Sequence, residues 1–206
     1  MNLKELKKEI AKPHNDFSEV DANLGTLESK FNKFGNSKEE EARKGIYAIS
    51  VDIKAITDKC LLDCLSNNKK TKNVIYIGRA GRKLVKRRVN HEIKGQTGTF
   101  FRKIGSFQGY KCSKTKCNHK NNYKFDTNDR IEIQLWNYKN LRLKVFDTDP
   151  DNEEKLIQYF NPSFNYEANG NNMCKAVKKK HDKNLGINKK YYELYINRKR
   201  KKKEKE

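Results

Sequence analysis

The chain has 206 residues, of which 34% are hydrophobic and 35% are charged. Globular proteins contain about 45–50% apolar residues, yet this chain holds enough Ile, Leu, Val, Phe and Tyr for one compact core, which argues against both wholesale disorder and two separate cores. It has no apolar run of the ~18–20 residues that a membrane span requires, and its start, MNLKELKKEI, lacks an apolar run of signal-peptide length. We therefore expect an unsecreted protein without a membrane anchor, acting in the cytoplasm or nucleoid, or in a nucleus.

Lys and Arg number 47 against 26 Asp and Glu, which gives a formal charge of +21. The first 43 residues carry 8 basic and 9 acidic side chains, so the surplus lies entirely in the rest of the chain. A polyanion must offset such a charge, and nucleic acid is the first candidate, ahead of an anionic membrane surface. The five cysteines, an odd number, favour a reducing compartment over a disulfide framework.

Residues 1–43 form an N-terminal helical extension in this interpretation. A helix is expected around Leu3–Lys12, followed by a looser segment. Ser37 and Glu40 have the spacing of a capping box, and Gly45 ends the short helix that they begin.

The segments 45–50 (GIYAIS) and 73–78 (NVIYIG) are rich in β-branched and aromatic residues and predict two strands. We expect them to pair antiparallel across a long loop, within which 58–65 has the length of two helical turns. The spacing of apolar and basic residues over 81–94 predicts a helix that ends at Gly95.

Further along, the sequence predicts a short helix over Thr99–Gly105, a polar loop over 111–125 and a helix over Asn128–Tyr138. The alternation in 141–146 (LRLKVF) predicts a third, half-buried strand.

A turn-rich segment over 147–152 then opens a helix with Leu156, Ile157 and Phe160 on one face, ended by Asn161-Pro162. The central domain spans 44–168 in this division. Residues 169–206 form a basic C-terminal extension whose end, RKRKKK, is too charged to pack.

Five side chains with useful chemistry lie at fixed spacings in these elements. Tyr47 and Tyr76 are in mid-strand, where their phenols are expected on one face of the sheet. Arg87 and His91 are one helical turn apart, so their side chains point the same way. Glu153 opens the later helix.

The sequence here resembles the GIY-YIG nuclease family, and the resemblance covers roughly residues 45–166. Its landmarks are Gly45-Ile46-Tyr47, Tyr76-Ile77-Gly78, Leu84-x-x-Arg87-x-x-x-His91 and Glu153-x-x-Leu156-Ile157-x-x-Phe160-x-Pro162-x-x-Asn165. Either tripeptide alone is weak evidence, but four elements in the family's order are not expected by chance. The resemblance implies an α/β (α+β) domain, a small three-stranded antiparallel sheet flanked by helices, which hydrolyses DNA phosphodiesters with one divalent metal ion.

Glu153 is the metal ligand that the resemblance implies, with one Mg²⁺ or Mn²⁺ ion, because a carboxylate oxygen suits a hard cation. Glu154 is the alternative ligand, and a plain helix-capping carboxylate is the non-catalytic alternative. Arg87 has the planar donor fork that grips phosphate oxygens. Its neighbour Arg88 is the rival for that role.

By resemblance, Tyr47 orients or deprotonates the attacking water, with Tyr76 beside it. A free phenol titrates near pH ~10, so a base role requires nearby cations. His91 is the rival base or a phosphate ligand, with a structural role as the alternative. Asn165 completes the site through its amide, on the phosphate or on Glu153.

Two insertions distinguish this chain from the family pattern, at about 51–70 and 106–127. Both are rich in Lys and Asn, which suit phosphates and base edges respectively, so they are candidates for DNA recognition. Four arginines are further candidate DNA contacts: Arg79, Arg82, Arg88 and Arg102. The segment around Arg102 is explained equally well by Phe100 and Phe101 as core residues.

The cysteines allow a structural zinc site, although we do not favour one. Cys112, Cys117 and His119 resemble three ligands, and Cys60 and Cys64 complete the set if the two insertions meet. The spacings differ from those of common zinc fingers. Cys60 and Cys64 also fit a buried helix face.

The sequence thus predicts a metal-dependent endonuclease acting on double-stranded DNA, of a compact stand-alone or restriction type. Homing and repair nucleases are alternatives within the class, and a non-cleaving DNA-binding protein on the same fold is the alternative outside it. Target sequence, cut pattern and oligomeric state stay open.

Overall fold

A three-stranded antiparallel sheet forms the centre of the protein. The computed structural model describes residues 2–12, 43–70, 73–82, 89–95, 98–111, 113, 123–165 and 172–185. The strands are β1 (Gly45–Val51), β2 (Val74–Ala80) and β3 (Leu141–Phe146), in the order β2-β1-β3. The predicted fold class and all three predicted strands are confirmed.

Six helices surround the sheet within the described residues: α1 (Leu3–Ala11), α2 (Lys59–Ser66), α3 (Thr99–Gln108), α4 (Thr127–Asn140), α5 (Glu153–Phe160) and α6 (Asn172–Leu185). The first five lie where the sequence predicts helices. Short 3₁₀ turns occupy Ile53–Ala55 and Pro150–Asn152, and a π-helical turn occupies Val89–Ile93. Residues 37–42 of the short helix predicted ahead of Gly45, and residues 83–88 of the helix predicted over 81–94, lie outside the described residues.

Local sequence explains several helix ends. Asn2 and Glu5 form a reciprocal capping box at the start of α1, and Asp58 accepts a hydrogen bond from the Leu61 amide at the start of α2. At the end of α3, Gly109 adopts a left-handed φ of 104°, which glycine reaches without a steric penalty. These contacts fix where the helices begin and end.

The larger core lies on the sheet face that carries Tyr47 and Tyr76. A bulge between β1 and β2 pairs Ile49 with Tyr76 and Ser50 with Val74, so the pairing skips Ile75. Because of this bulge, Ile75 and Tyr76 both belong to the same core. Helices α2, α3, α4 and α6 cover it with mostly aromatic and branched side chains: Leu61, Phe100, Phe101, Ile104, Phe107, Ile133 and Val177.

A second core lies on the opposite sheet face, under α1 and α5. Leu6 and Ile10 of α1 are fully buried there together with strand residues such as Ile46 and Ile77. The predicted apolar face of α5 is buried as well: Leu156, Ile157 and Phe160. The N-terminal helix is therefore part of the same packed unit as the sheet.

Helix α6 lies in the segment that the sequence assigns to the basic extension, and no helix is predicted there. It packs against α3, and its Val177 and His181 are buried. His181 Nε2 lies 3.0 Å from the Tyr123 hydroxyl, and its Nδ1 lies 3.0 Å from a carboxylate oxygen of Asp182. The helix was not predicted because many side chains of this segment are basic, so its average composition does not indicate that one face is buried.

Candidate active site

The two motif tyrosines lie on one face of the sheet, in adjacent strands. Tyr47 pairs with Gly78 and Ile49 pairs with Tyr76, which makes the two tyrosines diagonal neighbours, with ring centroids 6.1 Å apart. Tyr47 is 1% exposed, whereas Tyr76 is 9% exposed and packs against Phe100. The structure thus brings the phenols together as the strand pattern predicts, with Tyr47 the deeper of the two.

Gly78, the glycine of the second tripeptide, gives Tyr47 the space for its ring. A Cβ atom at Gly78 would lie 2.2 Å from the Tyr47 hydroxyl oxygen and 2.4 Å from Cζ. Both distances are far shorter than any normal contact, so no other residue fits here unless the phenol moves. The close approach of the Tyr47 ring therefore explains why this position of the motif is glycine in this chain.

A buried carboxylate, Glu92, contacts the Tyr47 phenol. The Tyr47 hydroxyl donates to Glu92 Oε1 at 3.3 Å, and the Phe100 amide donates to Glu92 Oε2 at 2.7 Å. Glu92 is 3% exposed and lies in the π-helical turn before α3. The sequence gives no reason to single out Glu92, because its contact with Tyr47 depends on tertiary packing.

Glu153 begins α5, next to the outer edge of β2. Its carboxylate Oε2 lies 3.1 Å from Arg79 Nε, and Arg79 Nη1 also lies 3.6 Å from Asp151. The Glu153 side chain is 23% exposed, against 85% for Asp151. Arg79, predicted as a DNA contact, thus forms an ion pair with the predicted metal ligand.

A cleft of about 550 Å³ runs along this edge of β2. It receives Tyr76 from one sheet face and Arg79 and Glu153 from the other. Thr99 and Lys103 line it from α3, and the remaining described residues that line it are Asp151, Glu154, Ile157 and Asn165. The described lining thus holds three carboxylates and two cations, an excess of negative charge in a protein of charge +21.

Lys103 is the second side chain that sequence reasoning missed. It is 7% exposed, and its Nζ donates to the Phe164 carbonyl at 3.0 Å. A buried ammonium group is costly unless it is paired or used. The sequence could have indicated that Lys103 is buried, because Lys103 lies on the same helix face as Phe100 and Phe107, both of which are buried.

Asn165 lines the cleft, but its amide makes different bonds from those expected. Its Oδ1 accepts from the Ile77 amide and its Nδ2 donates to the Ile77 carbonyl, both at 2.8 Å. The amide therefore binds the backbone at the outer edge of β2 rather than Glu153. This pair of bonds anchors the chain after α5 against the strand that carries Tyr76.

The remaining predicted side chains have different positions. The His91 side chain is exposed, as is Arg82. Arg102 is half-buried with its guanidinium 5.9 Å from the centre of the Tyr123 ring, and burial lowers its pKa. Arg87 and Arg88 lie outside the described residues, so their predicted roles stay predictions.

The first insertion forms part of the larger core. Leu61, Cys64 and Leu65 of α2 are buried, and burial raises the pKa of the Cys60 thiol. Both Asn67 and Asn68 donate their side-chain amides to backbone carbonyl groups of the protein itself.

The other three cysteine and histidine ligands of the considered zinc site, Cys112, Cys117 and His119, lie outside the described residues. Within the described residues there is no group of three or more His, Cys, Asp or Glu side chains placed to hold a metal ion. None of the described helices is long and apolar enough to cross a membrane.

Comparison with known proteins agrees with this geometry. A family model described as the GIY-YIG catalytic domain matches residues 45–190, a span that runs from the start of β1 past the end of α6. Comparisons with curated proteins and with solved structures find no match. The matched span covers more than half of the chain and includes both tyrosine motifs and Glu153. The chain therefore belongs to the GIY-YIG nuclease family, whose catalytic domain is that of a nuclease-type hydrolase.

Proposed function

We propose that the protein is a divalent-metal-dependent endonuclease that hydrolyses phosphodiester bonds of double-stranded DNA in the cleft along β2. The observation that carries the proposal is the convergence in this cleft of a carboxylate, a phenol and two cations: Glu153, Tyr76, Lys103 and Arg79. Tyr47 lies directly behind Tyr76. These are the side-chain types that an anionic substrate and an activated water require.

The oxygen donors of the cleft suit a hard cation. Glu153 contributes one partly exposed carboxylate, and Asp151 and Glu154 line the same cleft. Mg²⁺ and Mn²⁺ accept such sites because they bind through one or two carboxylates and keep several waters. A metal ion held by Glu153 would supply positive charge to the phosphate and lower the pKa of a bound water.

The charge of the cleft supports this assignment. A DNA phosphate that approaches the three described carboxylates meets repulsion, and a divalent cation held by Glu153 would offset it. Lys103 and Arg79 would then contact the non-bridging oxygens of the phosphate from within the cleft. Arg87 is proposed to add its guanidinium, as the motif implies.

Tyr47 is proposed to take the proton from the attacking water. Its hydroxyl is held in a fixed position against Gly78 and by Glu92, and its ring lies beside Tyr76 of the cleft, whereas the His91 side chain is exposed. A base in a fixed position loses less entropy on reaching the transition state. His91 is therefore assigned to phosphate binding at the rim.

A supercoiled-plasmid nicking assay with Mg²⁺ tests the proposal, with Glu153→Gln and Glu154→Gln as a matched pair. Both residues begin α5 and line the cleft, but only the first is partly buried and paired with Arg79. We expect Glu153→Gln to abolish nicking and Glu154→Gln to leave most of it. Equal activity of wild type and Glu153→Gln would contradict the proposal, and loss only in Glu154→Gln would transfer the ligand role to that residue.

DNA binding in EDTA, measured by fluorescence anisotropy, separates cleavage from mere attachment. The proposal expects Glu153→Gln to bind DNA as tightly as wild type does while failing to cut it. If the wild-type protein binds DNA but does not nick it with Mg²⁺ or Mn²⁺, the protein is a non-cleaving DNA-binding protein.

Within this class we propose a restriction-type enzyme. The support is compositional: the second insertion, 106–127, is rich in Lys and Asn, which suit phosphate contacts and base edges. Sequencing the ends produced from genome-sized DNA decides the matter. One recurrent sequence at the ends is expected, and ends without any common sequence would refute the assignment.

A further inference from the structure

Glu92 is a buried carboxylate that lies outside the family motifs and has no role in proton transfer in the proposed function. It lies between the phenol of Tyr47 on β1 and the amide of Phe100 at the start of α3. Gly98, the residue that caps α3, makes no side-chain capping bond, so Glu92 also provides a cap for that helix. Arg102, on α3, interacts electrostatically with it.

The hydrogen positions at this carboxylate are determined by its partners. A backbone amide can only donate, so Oε2 of Glu92 accepts from Phe100. The Tyr47 hydroxyl has one proton, and it is directed to Oε1 of the same carboxylate. Uptake of a proton by the Tyr47 oxygen from another donor therefore goes together with passage of its own proton to Glu92.

We propose that Glu92 is a positioning residue for Tyr47, which holds the phenol proton and so lets the neutral phenol act as the base; this inference rests on the proposed function. On attack, the water oxygen forms a bond to phosphorus as a water proton passes to Tyr47 and the phenol proton passes to Glu92. The bond from phosphorus to the leaving oxygen breaks, and that oxygen takes a proton from solvent. Tyr47 therefore never has to exist as a free phenolate.

The length of the hydrogen bond is consistent with this role. At 3.3 Å the contact between Tyr47 and Glu92 is longer than the usual O–H···O bond of about 2.7–2.8 Å. Catalytic hydrogen bonds are often long without substrate and shorten in the reacting complex. The Phe100 amide at the start of α3 donates to Oε2 of Glu92, which orients the carboxylate with Oε1 toward the Tyr47 hydroxyl.

Glu92→Gln separates this role from simple helix capping. The Phe100 amide still needs an acceptor, so the carbonyl oxygen of the glutamine takes that place and its NH₂ group faces Tyr47. The NH₂ group donates to the phenol oxygen, so the phenol proton must turn elsewhere and no carboxylate remains to receive it. The cap remains, but the direction of the bond to Tyr47 is reversed.

The chain offers a matched control in Glu132. The Tyr110 hydroxyl donates to Glu132 Oε2 at 2.8 Å, outside the cleft. Burial raises the pKa of Tyr110 to about 12, and the hydrogen bond to Glu132 adds to this shift. Glu132→Gln makes the same chemical change without touching Tyr47.

The test measures single-turnover plasmid nicking as a function of pH for wild type, Glu92→Gln, Glu92→Asp and Glu132→Gln. We expect Glu92→Gln to cut about 100-fold more slowly at neutral pH with unchanged DNA affinity, because general-base catalysis contributes at least that factor. Its rate should then rise about tenfold per pH unit as Tyr47 ionises. Glu132→Gln should follow wild type, and Glu92→Asp, which keeps the carboxylate, should recover most of the rate.

An equal rate and an unchanged pH profile in folded Glu92→Gln would overturn the inference. If that variant does not fold, Glu92→Asp decides alone: a rate as low as that of Tyr47→Phe, in a folded protein, refutes a positioning role for the carboxylate.

A second readout does not depend on cleavage. The tyrosinate absorbance of each protein, minus that of its Tyr47→Phe version, gives the ionisation of Tyr47 alone. Glu92→Gln should shift that ionisation to lower pH, because a neutral amide that donates a hydrogen bond replaces an anion that accepts one. If the ionisation of Tyr47 does not shift, the inference is overturned even if the protein cuts DNA. If wild type does not cut DNA, the proposed function fails while this titration still decides whether Glu92 controls Tyr47.

Discussion

Gly78→Ala should disable the active site through Tyr47, although the substitution adds only one methyl group. The new Cβ atom would lie 2.2 Å from the Tyr47 hydroxyl oxygen, and ordinary contact begins at 3.4 Å, so that oxygen must move by about 1.2 Å. Tyr47 is almost fully buried and cannot turn out into solvent. A displacement of about 1 Å at a reacting group costs roughly 100-fold in rate, and overpacking costs about 1–3 kcal/mol of unfolding free energy.

Two other glycines provide the controls for this prediction. A Cβ atom at Gly81 meets nothing within 4 Å, so Gly81→Ala should change neither nicking nor stability. A Cβ atom at Gly105 would lie 2.6 Å from Ile133 and 2.7 Å from Phe125, away from Tyr47, so Gly105→Ala should destabilise the fold without a specific loss of rate. Urea unfolding and plasmid nicking at a temperature where every variant is folded separate the two effects. A folded Gly78→Ala that nicks as fast as Gly81→Ala would refute the reasoning.

Three further substitutions test other contacts. Arg79→Ala should raise the Mn²⁺ affinity of the DNA-free protein by up to about fivefold, since a partly exposed ion pair with Glu153 contributes up to about 1 kcal/mol; calorimetry that finds weaker binding would contradict this. Asn165→Ala should lower the free energy of unfolding, measured in urea, by about 2–4 kcal/mol, because it leaves the amide and the carbonyl of Ile77 without their hydrogen bonds. An unchanged free energy of unfolding would show that these two bonds do not stabilise the fold. Burial raises the pKa of Asp182, but hydrogen bonds from the neighbouring histidine and lysine outweigh it and lower the pKa to about 2. Since the folded pKa is depressed, Asp182→Asn should cost about 1 kcal/mol at neutral pH, screening included, and the difference from wild type should vanish as pH falls from about 4 through about 2; a difference independent of pH would exclude the charge as its cause.

The strands and the paired tyrosines were predictable because they depend on local pattern. The segments 45–50 and 73–78 are rich in the β-branched and aromatic residues that favour strands. Side chains at matching positions of neighbouring strands must lie on the same face of the sheet. The bulge that brings Ile75 to the same side as Tyr76 could not be foreseen, because an extra residue in a strand leaves no compositional trace.

The partners of the site residues were harder to predict than the residues themselves. The motif predicts that Asn165 belongs to the site, but its bonds to Ile77 follow from how the chain turns back after α5. Lys103 was accessible in principle, since a lysine on an otherwise buried helix face is unusual. Helix α6 was missed because its burial depends on Val177 and His181, two residues in a strongly basic segment.

The distribution of charge separates attachment to DNA from chemistry on it. The chain as a whole carries +21, while the described lining of the cleft has an excess of one carboxylate. The basic surface attracts any phosphate backbone, independent of sequence, and its contribution falls with salt. In the proposed function, the three described carboxylates of the cleft repel a phosphate until a divalent cation joins Glu153, so we expect DNA bound without metal to be held by the basic surface. A site in which Arg79 and Lys103 outnumbered the carboxylates would bind the phosphate in its ground state and lose that discrimination, since only interactions that strengthen in the transition state accelerate the reaction.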